Sequence, residues 1–127
     1  GSEMCIRDRA PTFVAHGPDA DPRSLPSGPE ALGLSACEPM QLMEALAERG
    51  CNRVLWECGP ELAAAAIQQG CVQEIAAVVA PKLMGGTAAR TPLGDLNFKA
   101  MDQVLHGQWH QSEPIGHDWL LRWRGAS

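Results

Sequence analysis

Residues 52–81 read Asn52-Arg53-Val54-Leu55-Trp56-Glu57-Cys58-Gly59-Pro60-Glu61-Leu62-Ala63-Ala64-Ala65-Ala66-Ile67, then Gln68-Gln69-Gly70-Cys71-Val72-Gln73-Glu74-Ile75-Ala76-Ala77-Val78-Val79-Ala80-Pro81. Val54-Leu55-Trp56 is a short apolar run of the kind found in interior strands. Gly59-Pro60 breaks it, and Pro60 suits the first position of a helix that stops at Gly70. Ile75 to Ala80 is a second continuous apolar run, bounded by Pro81. The stretch therefore predicts strand–helix–strand. A helix of this length returns the chain for a parallel neighbour, and parallel strands are usually buried on both faces. The expectation is an α/β fold with a βαβ unit at about 52–81.

Upstream, Pro39 to Arg49 predicts a helix, with Leu42, Met43 and Leu46 on one face and Gly50 as its stop. Pro11 to His16 reads as a strand, and Ala31 to Cys37 as a short one on the alternation of Leu32 and Leu34. The Pro-, Gly-, Asp- and Ser-rich residues 17–29 between them read as a loop. Downstream, residues 85–97 are turn-rich. The tail predicts an antiparallel strand pair, Gln103 to Gln111 and Asp118 to Arg124, joined through Ser112-Glu113-Pro114-Ile115-Gly116. Trp119, Leu121 and Trp123 share one face of the last strand.

The chain has 127 residues, with ten Lys and Arg against fifteen Asp and Glu, for a net charge of −5. Its length fits one domain with its own core. The acidic balance argues against a dedicated nucleic-acid or membrane-surface binder, since both normally present a basic patch. No apolar run approaches the roughly 20 residues of a membrane span. Cys5, Cys37, Cys51, Cys58 and Cys71 form no Cys-x-x-Cys pair, so neither a zinc site nor a disulfide framework is indicated. Reduced thiols suit a cytoplasmic protein. His106, His110 and His117 read as solvated histidines of the terminal strands, and no metal is assigned. Residues 1–9 begin Gly1-Ser2 and resemble a tag and adapter-derived, non-native segment, so fold reasoning starts at Ala10.

Chemistry concentrates where the first strand meets its helix. The strand delivers Glu57 to its carboxyl end, where ligands sit in open α/β sheets. The helix that follows leaves amides unpaired and carries a positive field able to hold a phosphate. Ala63, Ala64 and Ala65 would let a ligand lie close against it. Two points stand against this reading. A capped helix with a solvated Glu57 gives the same local sequence, and Glu61 in the first turn competes with an anion for the same field.

The ordered set Val54 to Ala63, Gln69-Gly70-Cys71-Val72-Gln73-Glu74-Ile75, and Ala80-Pro81-Lys82-Leu83-Met84-Gly85-Gly86 closely resembles the C-terminal reductase domain of the bifunctional riboflavin-biosynthesis deaminase/reductase. Ile115-Gly116-His117-Asp118 resembles the step before that family's last strand. The resemblance spans about residues 10–125. It implies a dihydrofolate-reductase-like mixed sheet, with this chain (10–127) the later portion of a pyrimidine reductase domain, incomplete at its N-terminus. The implied reaction is NADPH-dependent reduction of 5-amino-6-(5-phosphoribosylamino)uracil to the ribitylamino product.

By that resemblance Glu57 contacts substrate, and Gly59, Pro60, Glu61, Leu62, Ala63, Ala64 and Ala65 line the NADPH site. Cys58 departs from the family's usual Gly or Ala, and Glu61 from its usual Thr. The resemblance further implies a homo-oligomer at full length and a deaminase domain upstream. The zinc-deaminase signatures His-x-Glu and Pro-Cys-x-x-Cys are missing from this sequence. Two alternatives stay open: a non-catalytic, nucleotide-facing fragment, and a related reductase acting on another pterin or pyrimidine.

Overall fold

A computed structural model describes residues 10–125, so the reading of residues 1–9 lies outside the described residues. The chain divides between Leu55 and Trp56 into two compact units. In the first, strand β1 (Phe13–His16) pairs in parallel with β2 (Glu30–Gly33), Phe13 opposite Glu30 and His16 opposite Gly33. The intervening segment holds a short 3-10 turn at Pro22–Ser24. Asp21 caps that turn by accepting the Arg23 amide at 2.9 Å, and its carboxylate also meets the Arg23 guanidinium at 3.1 Å. That contact holds the Asp21 carboxyl below its ordinary value. Leu32 and Leu34 are buried. The strand expected over Ala31 to Cys37 ends earlier, at Gly33, where the ladder with β1 ends.

Helix α1 (Pro39–Glu48) starts at proline as expected. The Gln41 Oε1 accepts the Ala36 amide at 2.9 Å and ties the helix to the turn before it. The Arg49 guanidinium stands 5.6 Å from the centroid of Phe13, fixing the helix end against β1.

The second unit holds helix α2 (Pro60–Gln68) and strands β3 (Glu74–Val79), β4 (Gly107–Ile115) and β5 (Asp118–Gly125). The two helices end in the same way. Gly50 and Gly70 take φ values of +83° and +71°, and the amides of Cys51 and Cys71 reach back to the Leu46 and Ala66 carbonyls. This is a Schellman ending, and glycine provides it without the steric cost of a Cβ.

The sheet order is β3-β5-β4, antiparallel throughout. The antiparallel terminal pair is therefore present, with Trp109 opposite Trp123. Gly116 at φ +60° opens the two-residue turn between β4 and β5, as a type II′ hairpin requires. Glu74 bridges β3 to β5, accepting from Arg124 Nε at 2.8 Å and standing 3.3 Å from Arg122 Nε. Ile67 of α2, Ile75 of β3 and Trp123 of β5 face a cavity of about 320 Å³. Leu93, Leu96 and Phe98 close it from the connecting segment. Cys71 is buried nearby in sequence, and desolvation pushes its thiol up.

Mixed α/β architecture is thus observed, with a parallel and an antiparallel sheet. Three expectations need correction. The βαβ unit at 52–81 does not form, because residues 52–58 make no ladder. They keep a strand-like alternation, Val54, Trp56 and Cys58 half-buried and Leu55 and Glu57 exposed, but a strand requires a neighbouring backbone for its polar groups.

The second apolar run is likewise not a parallel strand buried on both faces. β3 pairs antiparallel with β5 and ends the sheet, and Ala76 to Val79 are exposed. Finally, the strand expected over Gln103 to Gln111 runs instead from Gly107 to Ile115, so Ser112 to Ile115 belong to β4 and not to a connection, and Met101–Gln103 form a 3-10 turn before it. Pro114 is accommodated there because β4 lies at the sheet edge, where a missing amide breaks no ladder.

Candidate functional site

The sequence places its candidate residues at one point, the entry to α2. Gly59 is the N-cap, in extended conformation, and has no side chain with which to satisfy the helix amides. Its carbonyl accepts the Ala63 amide at 3.0 Å, closing the first turn. Pro60 has no amide, so the first donors without an intrahelical carbonyl are those of Glu61 and Leu62. A side chain built at Gly59 would meet nothing within 4 Å, so an approaching group has open space there.

Glu57, Gly59, Pro60, Glu61 and Leu62 are all exposed, whereas Ala63 and Ala65 are half-buried. Ala64 is different: it is 5% exposed and turned toward the unit's own core. Ala64 and Ala66 are the buried residues of α2, and Gly94 lies against Ala64. The eight predicted residues are thus contiguous in space, but only part of the set faces outward.

The electrostatics at this point oppose each other. Aligned peptide dipoles make the entry to α2 favourable for an anion, and the first turn already carries one in Glu61. Just before it, the Trp56 indole N–H is buried without an acceptor among the described residues. The apolar cavity is lined by none of the eight predicted residues. It is a gap in the packing of α2 on the sheet, and it has no polar groups converging on a ligand.

One contact was missed in sequence. Gly94 donates its amide to the Pro60 carbonyl at 2.9 Å, bringing the segment after Thr91 onto the first turn of α2. Asp95 Oδ1 accepts the Asn97 amide at 2.7 Å, and Asn97 takes a φ of 60°. Asp-x-Asn is a legible turn signal, but nothing in it names Pro60 as the partner. No group of three or more potential metal-ligating side chains occurs among the described residues.

Comparison with known proteins gives these features a context. The RibD C-terminal domain model matches residues 5–121. The riboflavin biosynthesis protein RibD of Synechocystis sp. is 48% identical over 92 residues, covering 72% of this chain and 25% of that protein. The chloroplastic riboflavin biosynthesis protein PYRR of Arabidopsis thaliana is 38% identical over 94 residues, 74% of this chain and 16% of its own length. Among solved structures, Acinetobacter baumannii RibD aligns with a TM-score of 0.66 at 25% identity, over 78% of this chain and 27% of that one. The chain thus spans about a quarter or less of the curated relatives' length, and a match over residues 5–121 places it in the RibD C-terminal domain family.

Proposed function

We propose that this chain is the later portion of a riboflavin-biosynthesis reductase, and that the whole protein reduces 5-amino-6-(5-phosphoribosylamino)uracil to its ribitylamino product with NADPH. Family membership over residues 5–121 is the observation that carries this reading. The residues at the α2 entry fit a dinucleotide. The Glu61 and Leu62 amides lack intrahelical acceptors, and the space beside Gly59 is open enough for a pyrophosphate to approach. Glu61 weakens that hold by its own charge.

When bound, the dinucleotide would supply a hydride to C1 of the opened ribose or its imine, whose oxygen or nitrogen would take up the accompanying proton. The chain's residues bind and orient. Gly59 to Leu62 would receive the cofactor's phosphates, Ala63 and Ala65 would keep the helix surface low beside it, and Glu57 would accept hydrogen bonds from the substrate. Ala64 contributes from behind, as packing. A deaminase domain upstream and self-association at full length complete the proposal. The four described cysteines are all free, which supports a reducing compartment such as the cytoplasm. No described helix is long and apolar enough to cross a membrane.

Adding NADPH to the chain and following energy transfer from its tryptophans to the reduced nicotinamide tests the reading. Saturable binding, displaced by NADP, is expected. Glu57→Gln should leave that titration unchanged while weakening binding of the aminopyrimidine ribotide by about tenfold. An NADPH signal that never saturates contradicts the assignment of the α2 entry.

A further inference from the structure

The segment joining β3 to β4 is held down on both sides of residue 94. Leu93 and Leu96 line the cavity beneath it, and the Asp95–Asn97 turn fixes the bend that follows. Between these anchors the Gly94 amide reaches the Pro60 carbonyl. A methyl group at residue 94 would stand 3.1 Å from that carbonyl oxygen and 3.4 Å from both Glu61 Cα and Ala64 Cβ. The contact with the carbonyl oxygen is tighter than side chains ordinarily make and asks this backbone to give by a few tenths of an ångström, while the two at 3.4 Å are ordinary contacts. Gly94 is not needed for its backbone angles, since its φ is not among the positive ones. Its role is close approach.

We propose that Gly94 is a positioning residue for dinucleotide binding. By clamping the Pro60 carbonyl and tolerating contact with Glu61, it sets where the Glu61 and Leu62 amides stand. The proposal rests on the reading of the α2 entry as cofactor-facing, and adds what holds that entry in place. A side chain at 94 presses on the Pro60 carbonyl at the helix entry, so the effect falls on the placement of the donors beside it and through them on the cofactor.

The test compares the chain with its Gly94→Ala variant by NADPH titration and thermal melting, and measures amide exchange at Gly94 with and without saturating NADPH. The expected result is a Kd for NADPH raised by about tenfold in Gly94→Ala at a temperature where both proteins are folded. In the unsubstituted chain, NADPH should slow exchange of the Gly94 amide by about tenfold, because the bound turn opens less often. If the unsubstituted chain fails to bind NADPH, the cofactor reading falls and this proposal with it. If it binds and Gly94→Ala binds equally well, only the positioning role is overturned. Should Gly94→Ala not fold, the exchange measurement decides: slowing supports the role, and unchanged exchange overturns it.

Discussion

Gly107 has no room for a side chain. A Cβ there would lie 2.1 Å from Trp123 Cε2 and 2.3 Å from the Arg124 carbonyl oxygen, whereas one at its partner Gly125 would meet Trp123 at 3.5 Å, an ordinary contact. Trp123 also lines the cavity under α2, so displacing it disturbs helix packing as well as the β4–β5 ladder. Gly107→Ala is therefore expected to lower stability by about 2 kcal/mol, the usual scale of overpacking, and Gly125→Ala by much less. Urea denaturation of both variants checks the contrast. At this scale the sequence was most informative about Gly59 and Pro60, because a breaker and a helix start are local signals, whereas the strand end expected at Glu57 did not form. Gly94 and Gly107 were illegible for the opposite reason. Each is required by a residue far along the chain, and a glycine in a turn-rich stretch or at a strand end looks the same whatever it approaches.

Among the elements, β3 depends on β5 for its partners and on Glu74 for its alignment. The hydrogen bond from Arg124, helped by the charge of Arg122, holds the Glu74 carboxyl below its ordinary value. A carboxylate depressed in the folded state stabilises fully above its unfolded value, and loses that contribution as pH falls through the depressed one. The bridge is solvent-accessible, so the effect is small. Thermal melts of the chain and of Glu74→Gln between about pH 7 and about pH 3 should differ most at neutral pH and converge in acid. A difference independent of pH would count against the bridge.

Helix positions were readable, since Pro39 and Pro60 open helices while Gly50 and Gly70 close them. The antiparallel pairing of β4 with β5 was readable too, but the partner of β3 was not. Ile75-Ala76-Ala77-Val78-Val79 has no polar alternation, so its pattern suits burial on two faces and says nothing about which strand lies beside it. Ser112-Glu113-Pro114 carries loop composition, yet an edge strand admits it.

For the whole molecule, the exposed apolar surface is the telling feature. β3 ends its sheet with Val78 61% and Val79 51% exposed, and no charge or proline protects residues 75–79. Such an edge recruits other strands. Sedimentation should show concentration-dependent association of the chain, reduced by Val78→Lys; a monomer at all concentrations would contradict it. Length suggested one core; the chain forms two compact units that divide between Leu55 and Trp56, inside the very segment read as the first interior strand. Length and composition carry no record of which neighbours a strand needs.

If residues around the α2 entry serve a reductase, they must sustain turnover in a whole protein. Grafting the matching segment of this chain into Synechocystis RibD and following NADPH consumption with the aminopyrimidine ribotide measures this. The expected rate is within about tenfold of the ungrafted protein, falling by about a hundredfold with Glu57→Gln. A folded graft that binds NADPH but reduces nothing, or one indifferent to Glu57→Gln, would contradict it.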